Sequence, residues 1–284
     1  MRLVSFTALL ALSLQSSPAP SHDPAEARYL GNEGVLVTSG STKVLFDAFY
    51  AESFAGQYTL VPSALEAAML RGDAPFDGVD AVFISHIHPD HFSSRKTIAY
   101  MRAHPSVRLY AGIDVVGAIR AADASSDPLL QRVVAVHVPP GGEAARFSVE
   151  GLAVEAFPIP HNGEGPIPHY AFRVTLDDKT TVLHLGDADE DERHYAPYQG
   201  SFDTKRTHLA LAPTWIVTSE AGKRVLRQRI KPDAVIAIHA EDRHRPRADR
   251  LKSELGADVF LNPGETRKIG GPRPQFSPLA QSAG

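Results

Sequence analysis

The stretch Ser85-His86-Ile87-His88-Pro89-Asp90-His91 constrains this chain more than any other. It continues an apolar run, Val79–Ser85, that reads as a buried strand, and it precedes a helical text from Ser93 to His104. The cluster is therefore expected on a loop at a sheet rim, where a rigid scaffold commonly presents functional groups. In extended backbone alternate side chains share a side, so His86 and His88 project together. Pro89 turns the chain and sets Asp90 and His91 apart from them. One loop thereby offers two donors to one cation and two to a neighbour. Neutral imidazole and carboxylate suit zinc and related divalent ions.

Composition narrows the chemistry further. The 284-residue chain contains no cysteine, which removes thiolate sites, disulfides and cysteine nucleophiles together. A transition-metal site must then use imidazole and carboxylate, and 13 histidines supply the first. A net charge of -4 gives no polycationic field for nucleic acid, so a small-molecule substrate is expected. Hydrophobic residues at 43% provide for a sizeable core.

Residues 1–20 read as a secretory signal: a basic start at Arg2, an apolar run from Leu3 to Leu14, then small residues. The run is too short for a comfortable membrane span, so no integral membrane segment is expected after cleavage. The protein is expected in a periplasm or outside the cell. Residues 21–27 read as a flexible lead-in, 28–269 as one domain, and 270–284 as a disordered tail rich in Pro, Gln and Ser.

Within the domain, Arg28–Gly31 with Gly34–Thr38 reads as a strand, Gly40-Ser41 as a turn and Lys43–Asp47 as the partner strand of a hairpin that ends in an acid. Ser63–Arg71 reads as a helix capped by Ser63, and Ser93–His104 as a helix behind the histidine loop. Val107–Ala111 follows as a strand and Ile113–Ala122 as a helix. Further strands are expected at Val133–Val138, Ala145–Val149, Leu152–Phe157, His169–Leu176, Thr181–Leu185, Leu209–Ala212, Ala234–Ile238 and Val259–Phe260. Helices are expected over Ser219–Arg229 and Ala248–Leu255. Antiparallel β followed by α, twice over, predicts an α+β chain with two sheets face to face and helices outside.

The loop alone does not complete a two-cation site. A His or Asp directly after an apolar strand is the natural supplement, and three positions qualify: His161, Asp187 and His239. Asp187 follows Gly186, whose lack of a side chain lets the backbone come close, as suits a bridging carboxylate. The HxHxDH loop, His161, the Leu-Gly-Asp at Asp187 and the Ile-His at His239, in this order, resemble the metallo-β-lactamase superfamily.

That resemblance implies a four-layer αββα sandwich with the site at one edge of both sheets. It implies His86, His88 and His161 on a first metal, Asp90, His91 and His239 on a second, and Asp187 bridging. It implies that Asp47 braces the histidine loop. The cofactor would be two divalent metal ions, zinc first, with manganese or iron as alternatives. The reaction would be hydrolysis of an ester, lactone, amide or phosphodiester by a metal-bridging hydroxide, with Asp90 or Asp187 carrying the proton. Pro160-His161-Asn162-Gly163 replaces the Gly-His-Thr usual in β-lactamases of the superfamily and points away from β-lactams. The alternatives are an iron-dependent redox enzyme on the same fold, or a β-lactamase.

Other candidates have plainer readings. His169 competes with His161 or touches substrate. His184, inside a strand, reads as a bracing or core histidine. Trp215 lines the substrate mouth or packs in the core. Lys223–Lys231 reads as a solvated helix face, and the acidic run Asp187–Glu192 beyond its first residue as a solvated loop or helix start. Specificity is expected from the loops Tyr50–Pro62, Asn162–Pro168 and Asp189–Thr207. Oligomeric state is not encoded in any motif.

Overall fold

A computed structural model describes residues 24–123, 127–149, 151–163, 165 and 167–270. The predicted signal at 1–20 and the tail from 271 onward lie outside the described residues. Two seven-stranded sheets form the centre. The first runs β14-β1-β2-β3-β4-β5-β6, built from β1 (Glu26–Gly31), β2 (Gly34–Ser39), β3 (Thr42–Phe46), β4 (Ala81–Ile84), β5 (Arg108–Gly112), β6 (Val133–Val136) and β14 (Thr266–Lys268). The second runs β13-β12-β11-β10-β9-β8-β7, built from β7 (Ala145–Val149), β8 (Leu152–Phe157), β9 (Ala171–Leu176), β10 (Thr180–His184), β11 (Leu209–Pro213), β12 (Ala234–Ile238) and β13 (Asp258–Val259).

The layering follows from alternation along each strand, which sends successive side chains to opposite faces. Val44 and Phe46 of β3, and Ala81 and Phe83 of β4, enter the inter-sheet core with Phe172 and Val174 of β9 and Ile236 and Ile238 of β12. Their neighbours Leu45, Val82 and Ile84 face outward under α1 (Ser63–Arg71), α2 (Ser94–Ala103) and α3 (Ile113–Ala122), with α4 (Asp127–Leu130) beside them. On the second sheet, Leu183, Ala210 and Ala237 face outward under α5 (Gln199–Thr204), α6 (Thr214–Thr218) and α7 (Glu220–Arg224). A last helix, α8 (Ala248–Leu255), precedes β13. Strands buried on both faces explain why the sequence reads there as near-continuous apolar runs. The predicted αββα sandwich is the fold observed.

Several local expectations are corrected. The sheets are mixed rather than antiparallel: β3-β4-β5-β6 and β10-β11-β12-β13 pair in parallel. Ser63 does not cap α1, because Pro62 holds the N-cap position; Ser93 caps α2, its side chain accepting from the Lys96 amide. The helix expected over Ser219–Arg229 forms, capped by Ser219 and running through α7 into Ile230, but its second half, Val225–Ile230, is π-helical and ends on left-handed Lys231. His169 stays outside β9, which begins at Ala171. The last expected strand slides one residue back, to Asp258–Val259. The edge strand β14 had no sequence signal; Thr266–Lys268 is polar and partly exposed and pairs only with β1.

Candidate metal centre

The predicted residues arrive from the ends of different strands at one rim. The histidine loop leaves β4, His161 follows β8, Asp187 follows β10 and His239 follows β12. Because β3 and β4, and β10 to β12, run parallel, their carboxyl ends share an edge. Three non-glycine residues at that edge sit at left-handed φ, Asn32 at 43°, Asp47 at 37° and His239 at 54°. Such strain concentrates at functional sites, where the surroundings over-determine it. Gly186 also has positive φ, and a Cβ there would lie 2.6 Å from His169 Nε2 and 2.7 Å from Ser85 Cβ. The glycine thus permits the approach that sets Asp187 between the two sheets, as the sequence suggested.

All seven predicted residues converge. Donor atoms of His86, His88, His161 and Asp187 lie within 4.8 Å of one another, and so do those of Asp90, His91 and His239. Asp187 lies between the groups. Its Oδ2 is 3.3 Å from His161 Nε2 and 3.9 Å from His86 Nε2, while its Oδ1 is 3.3 Å from His91 Nε2 and 3.4 Å from His239 Nε2. Asp90 Oδ2 is 3.5 Å from both His91 Nε2 and His239 Nε2.

The far ring nitrogens explain the orientation. His161 Nδ1 donates to the Asn162 carbonyl at 2.9 Å, and His91 Nδ1 to Asp47 Oδ2 at 2.9 Å. Ser85 Oγ donates to Asp47 Oδ2, which leaves it to accept from His86 Nδ1 at 2.9 Å. Each Nδ1–H is thereby committed, and the lone pair of each Nε2 faces the centre. Nε2 of His86, His91, His161 and His239, Oδ1 of Asp90 and Oδ1 of Asp187 are buried without a hydrogen-bond partner. Buried polar groups are nearly always paired, so this concentration of orphans fits a cation centre. Asp47 is fully buried, which pushes its carboxyl up, but donors from His91 and Ser85 outweigh burial and hold it below the usual range.

Three contributors had no sequence signal that stood out. Asn32 and Glu33 form the turn between β1 and β2, and both are completely buried. Asn32 Nδ2 donates to the Asp90 carbonyl at 3.1 Å and to Asp90 Oδ2 at 3.3 Å. Tyr58 packs edge-on against His239, with ring centroids 4.1 Å apart. The signal available was a tight Gly-Asn-Glu-Gly turn, which reads as surface until the tertiary contacts are known. His184 braces, as expected: it stacks on Phe46, its Nε2 donates to the Glu33 carbonyl at 3.0 Å, and its Nδ1 accepts from the Gly186 amide. His169 donates through Nδ1 to the Ile159 carbonyl at 2.8 Å, and its ring lies 5.3 Å from that of His86. Burial brings its pKa down to about 4, so it stays neutral.

A cleft of roughly 310 Å³ opens on the centre between Phe54, Tyr58, Trp215 and Asn162. Trp215 lines this mouth, its indole N–H held by the Ala188 carbonyl at 3.0 Å. No lysine or arginine lines the cleft among the described residues. Of the three predicted specificity loops, Tyr50–Pro62 and Asn162–Pro168 contribute walls, whereas Asp189–Thr207 folds into short helices elsewhere. A larger hollow, about 880 Å³, lies between β7–β9 and α5. Its buried Arg173 is already satisfied by Glu155 and the Ser201 carbonyl. The basic stretch is the expected solvated face, with Lys223 paired to Glu220 and Lys231 to Asp203.

Comparison with known proteins agrees with this arrangement. Residues 42–239 match a family model described as beta-lactamase superfamily domain. None of the curated proteins matches the chain. Among solved structures, a possible metal-dependent hydrolase from Veillonella parvula aligns with TM-score 0.58 at 15% identity, over 87% of this chain and all of its own. An isothiocyanate hydrolase from Delia radicum gut bacteria aligns with TM-score 0.56 at 17% identity, over 86% of this chain and 100% of its own. A diiron beta-hydroxylase from Streptomyces venezuelae aligns with TM-score 0.50 at 16% identity, over 89% of this chain but 55% of its own. At these identities the likeness is one of fold.

Proposed function

This chain belongs to the metallo-β-lactamase superfamily, and on that premise we propose that it is a metal-dependent hydrolase of small uncharged carbonyl-type substrates such as esters and lactones. The observation that supports this most is the division of Asp187, one oxygen facing the His86–His161 side and the other facing His91 and His239. In this reading His86, His88 and His161 hold one cation, Asp90, His91 and His239 hold another, and Asp187 serves both. Three imidazoles and a carboxylate on the first side suit zinc. Two cations so held would acidify a water between them and polarise the bond under attack.

The chain's own groups supply the rest. Asp90, whose Oδ1 has no hydrogen-bond partner, would accept the proton that the attacking water gives up, since both oxygens of Asp187 face cation sites. Tyr58 lines the cleft, and burial together with nearby carboxylates raises its phenol to about 12, so it remains a hydrogen-bond donor for a substrate oxygen. Phe54 and Trp215 offer apolar walls to an acyl or alkyl group. The absence of a basic lining residue among those described favours carbonyl substrates over phosphodiesters, which call for Arg or Lys. Export on residues 1–20 belongs to the same proposal, and the N-terminal sequence of the mature protein tests it.

The deciding experiment is a hydrolysis panel of esters, lactones, thioesters, isothiocyanates, phosphodiesters and β-lactams with metal-loaded protein. Turnover of an ester or lactone that vanishes in Asp187→Asn is expected. Equal activity of the two proteins on every substrate would reject the reading. The iron redox alternative predicts a coloured or paramagnetic protein as purified, with no hydrolysis.

A further inference from the structure

Glu33 sits in a two-residue turn, a place where a glutamate normally reaches into water. Here it is 0% exposed, and both carboxylate oxygens are buried without a hydrogen-bond partner. Its nearest cationic candidates are imidazoles at longer range, His184 Nε2 at 3.7 Å and His91 Nδ1 at 3.9 Å, and both of those N–H groups are committed elsewhere. Burying a carboxylate this way is costly unless something compensates it. The turn is also firmly held. Asn32 is anchored on Asp90, the Asn32 carbonyl accepts from the His239 amide, and the Glu33 carbonyl accepts from His184. Gly31, at φ 146°, leaves no room for a Cβ, which would meet Tyr50 Oη at 2.6 Å and the Thr59 carbonyl at 2.9 Å. The backbone therefore directs Glu33 inward rather than leaving it there by default. A Glu33 oxygen falls within 4.8 Å of donor atoms of both Asp187 and His239.

We propose that Glu33 is an additional carboxylate donor to the second cation site, which makes that site richer in oxygen than the first and able to retain manganese. The inference rests on the two-cation reading above. With Glu33 the second side offers two imidazoles, His91 and His239, and three carboxylates, Asp90, Asp187 and Glu33. The first side offers three imidazoles and the shared Asp187. Five protein donors exceed the four that zinc usually takes, while carboxylate oxygen and higher coordination suit manganese. Manganese is intrinsically the weaker binder of the two, so the prediction concerns the contrast between sites, not a preference over zinc.

The test uses the full chain, stripped of metal and then given one equivalent of zinc followed by manganese. Bound manganese is read by loss of the free-ion paramagnetic signal and by metal analysis after gel filtration. Wild type is expected to retain one zinc and one manganese per chain. Glu33→Gln should keep its zinc and bind manganese at least about tenfold more weakly, with Glu33→Asp in between. Retention of manganese by Glu33→Gln at wild-type affinity overturns the inference. Should Glu33→Gln not fold, wild type still decides: failure of the zinc-loaded chain to hold any manganese overturns it. A wild-type chain that binds two zinc ions but no manganese leaves the hydrolase reading standing, whereas a chain that binds no cation defeats both.

Discussion

Asp47 Oδ2 accepts the Nδ1–H of His91 at 2.9 Å, while the same carboxylate takes the Ser85 amide at 2.8 Å through Oδ1 and the Ser85 hydroxyl through Oδ2. One buried acid thus fixes a ring and, through Ser85, a second ring on His86. Asp47 itself is held at the end of β3 in left-handed backbone, with its amide bonded to the Phe83 carbonyl of β4.

This relay predicts that Asp47→Asn weakens cation retention without emptying the fold. The amide can keep a bond to Ser85 but cannot serve as a charged acceptor for two donors. Partners of metal-bound histidines typically contribute about 10–100-fold in affinity or activity. Competition with a chromophoric chelator should show faster metal loss from Asp47→Asn, at a lower chelator concentration. Unchanged release would mean that the relay only positions backbone.

Removal of a bound cation from the centre should destabilise the protein. The orphaned nitrogens and oxygens at the centre would gain partners from a bound ion, and a ligand of the folded state at 100-fold its Kd contributes about 2.7 kcal/mol. For a domain of this size that corresponds to a fall in Tm of roughly 5–10 °C. Scanning calorimetry with and without chelator measures it. A Tm that does not move after verified metal removal contradicts the cation reading of the cluster.

The sandwich and the seven convergent residues were legible because their signals are local. Apolar strands ending in His or Asp announce both the strand and its carboxyl end, and the order of the motifs supplies the rest. Glu33, Asn32 and Tyr58 were not legible. Their roles depend on where a turn and a loop land against residues more than fifty positions away, and polar turn residues read as solvated until that contact is seen. The parallel pairing of β3 to β6 was missed for a related reason: strand direction is set by the crossover helices between strands, not by the strand text. The change from α- to π-type hydrogen bonding at Val225 was not legible, since Lys223–Ile230 is an unbroken helical text.

Histidine 208 offers a pH test away from the centre. His208 Nδ1 accepts from the Thr181 amide at 2.9 Å, and burial followed by nearby Arg206 lowers its pKa below the ordinary 6.5. The folded state therefore favours the neutral ring. Between the lowered value and 6.5 the unfolded chain binds more protons, so this contribution is complete above pH 6.5 and is lost as pH falls. The imidazole resonance of His208 should titrate below 6.5, and His208→Asn should flatten the loss of stability on acidification. A midpoint at or above 6.5 would contradict the assignment of Nδ1 as acceptor.

Two helical glycines should respond oppositely to alanine. At Gly222 in α7, a Cβ would lie 2.2 Å from the Ile216 carbonyl oxygen and 2.4 Å from Ile216 Cα, backbone atoms that cannot swing aside. The α6–α7 contact must open, at about 3 kcal/mol by analogy with overpacked cores. At Gly117 in α3 a Cβ meets nothing within 4 Å, so alanine gains only the helical preference, about 0.5–1 kcal/mol. Denaturant midpoints of Gly222→Ala and Gly117→Ala should therefore fall on either side of wild type, with metal content unchanged in Gly117→Ala. A Gly222→Ala protein as stable as wild type would show that α6 and α7 do not pack as closely as the backbone positions require.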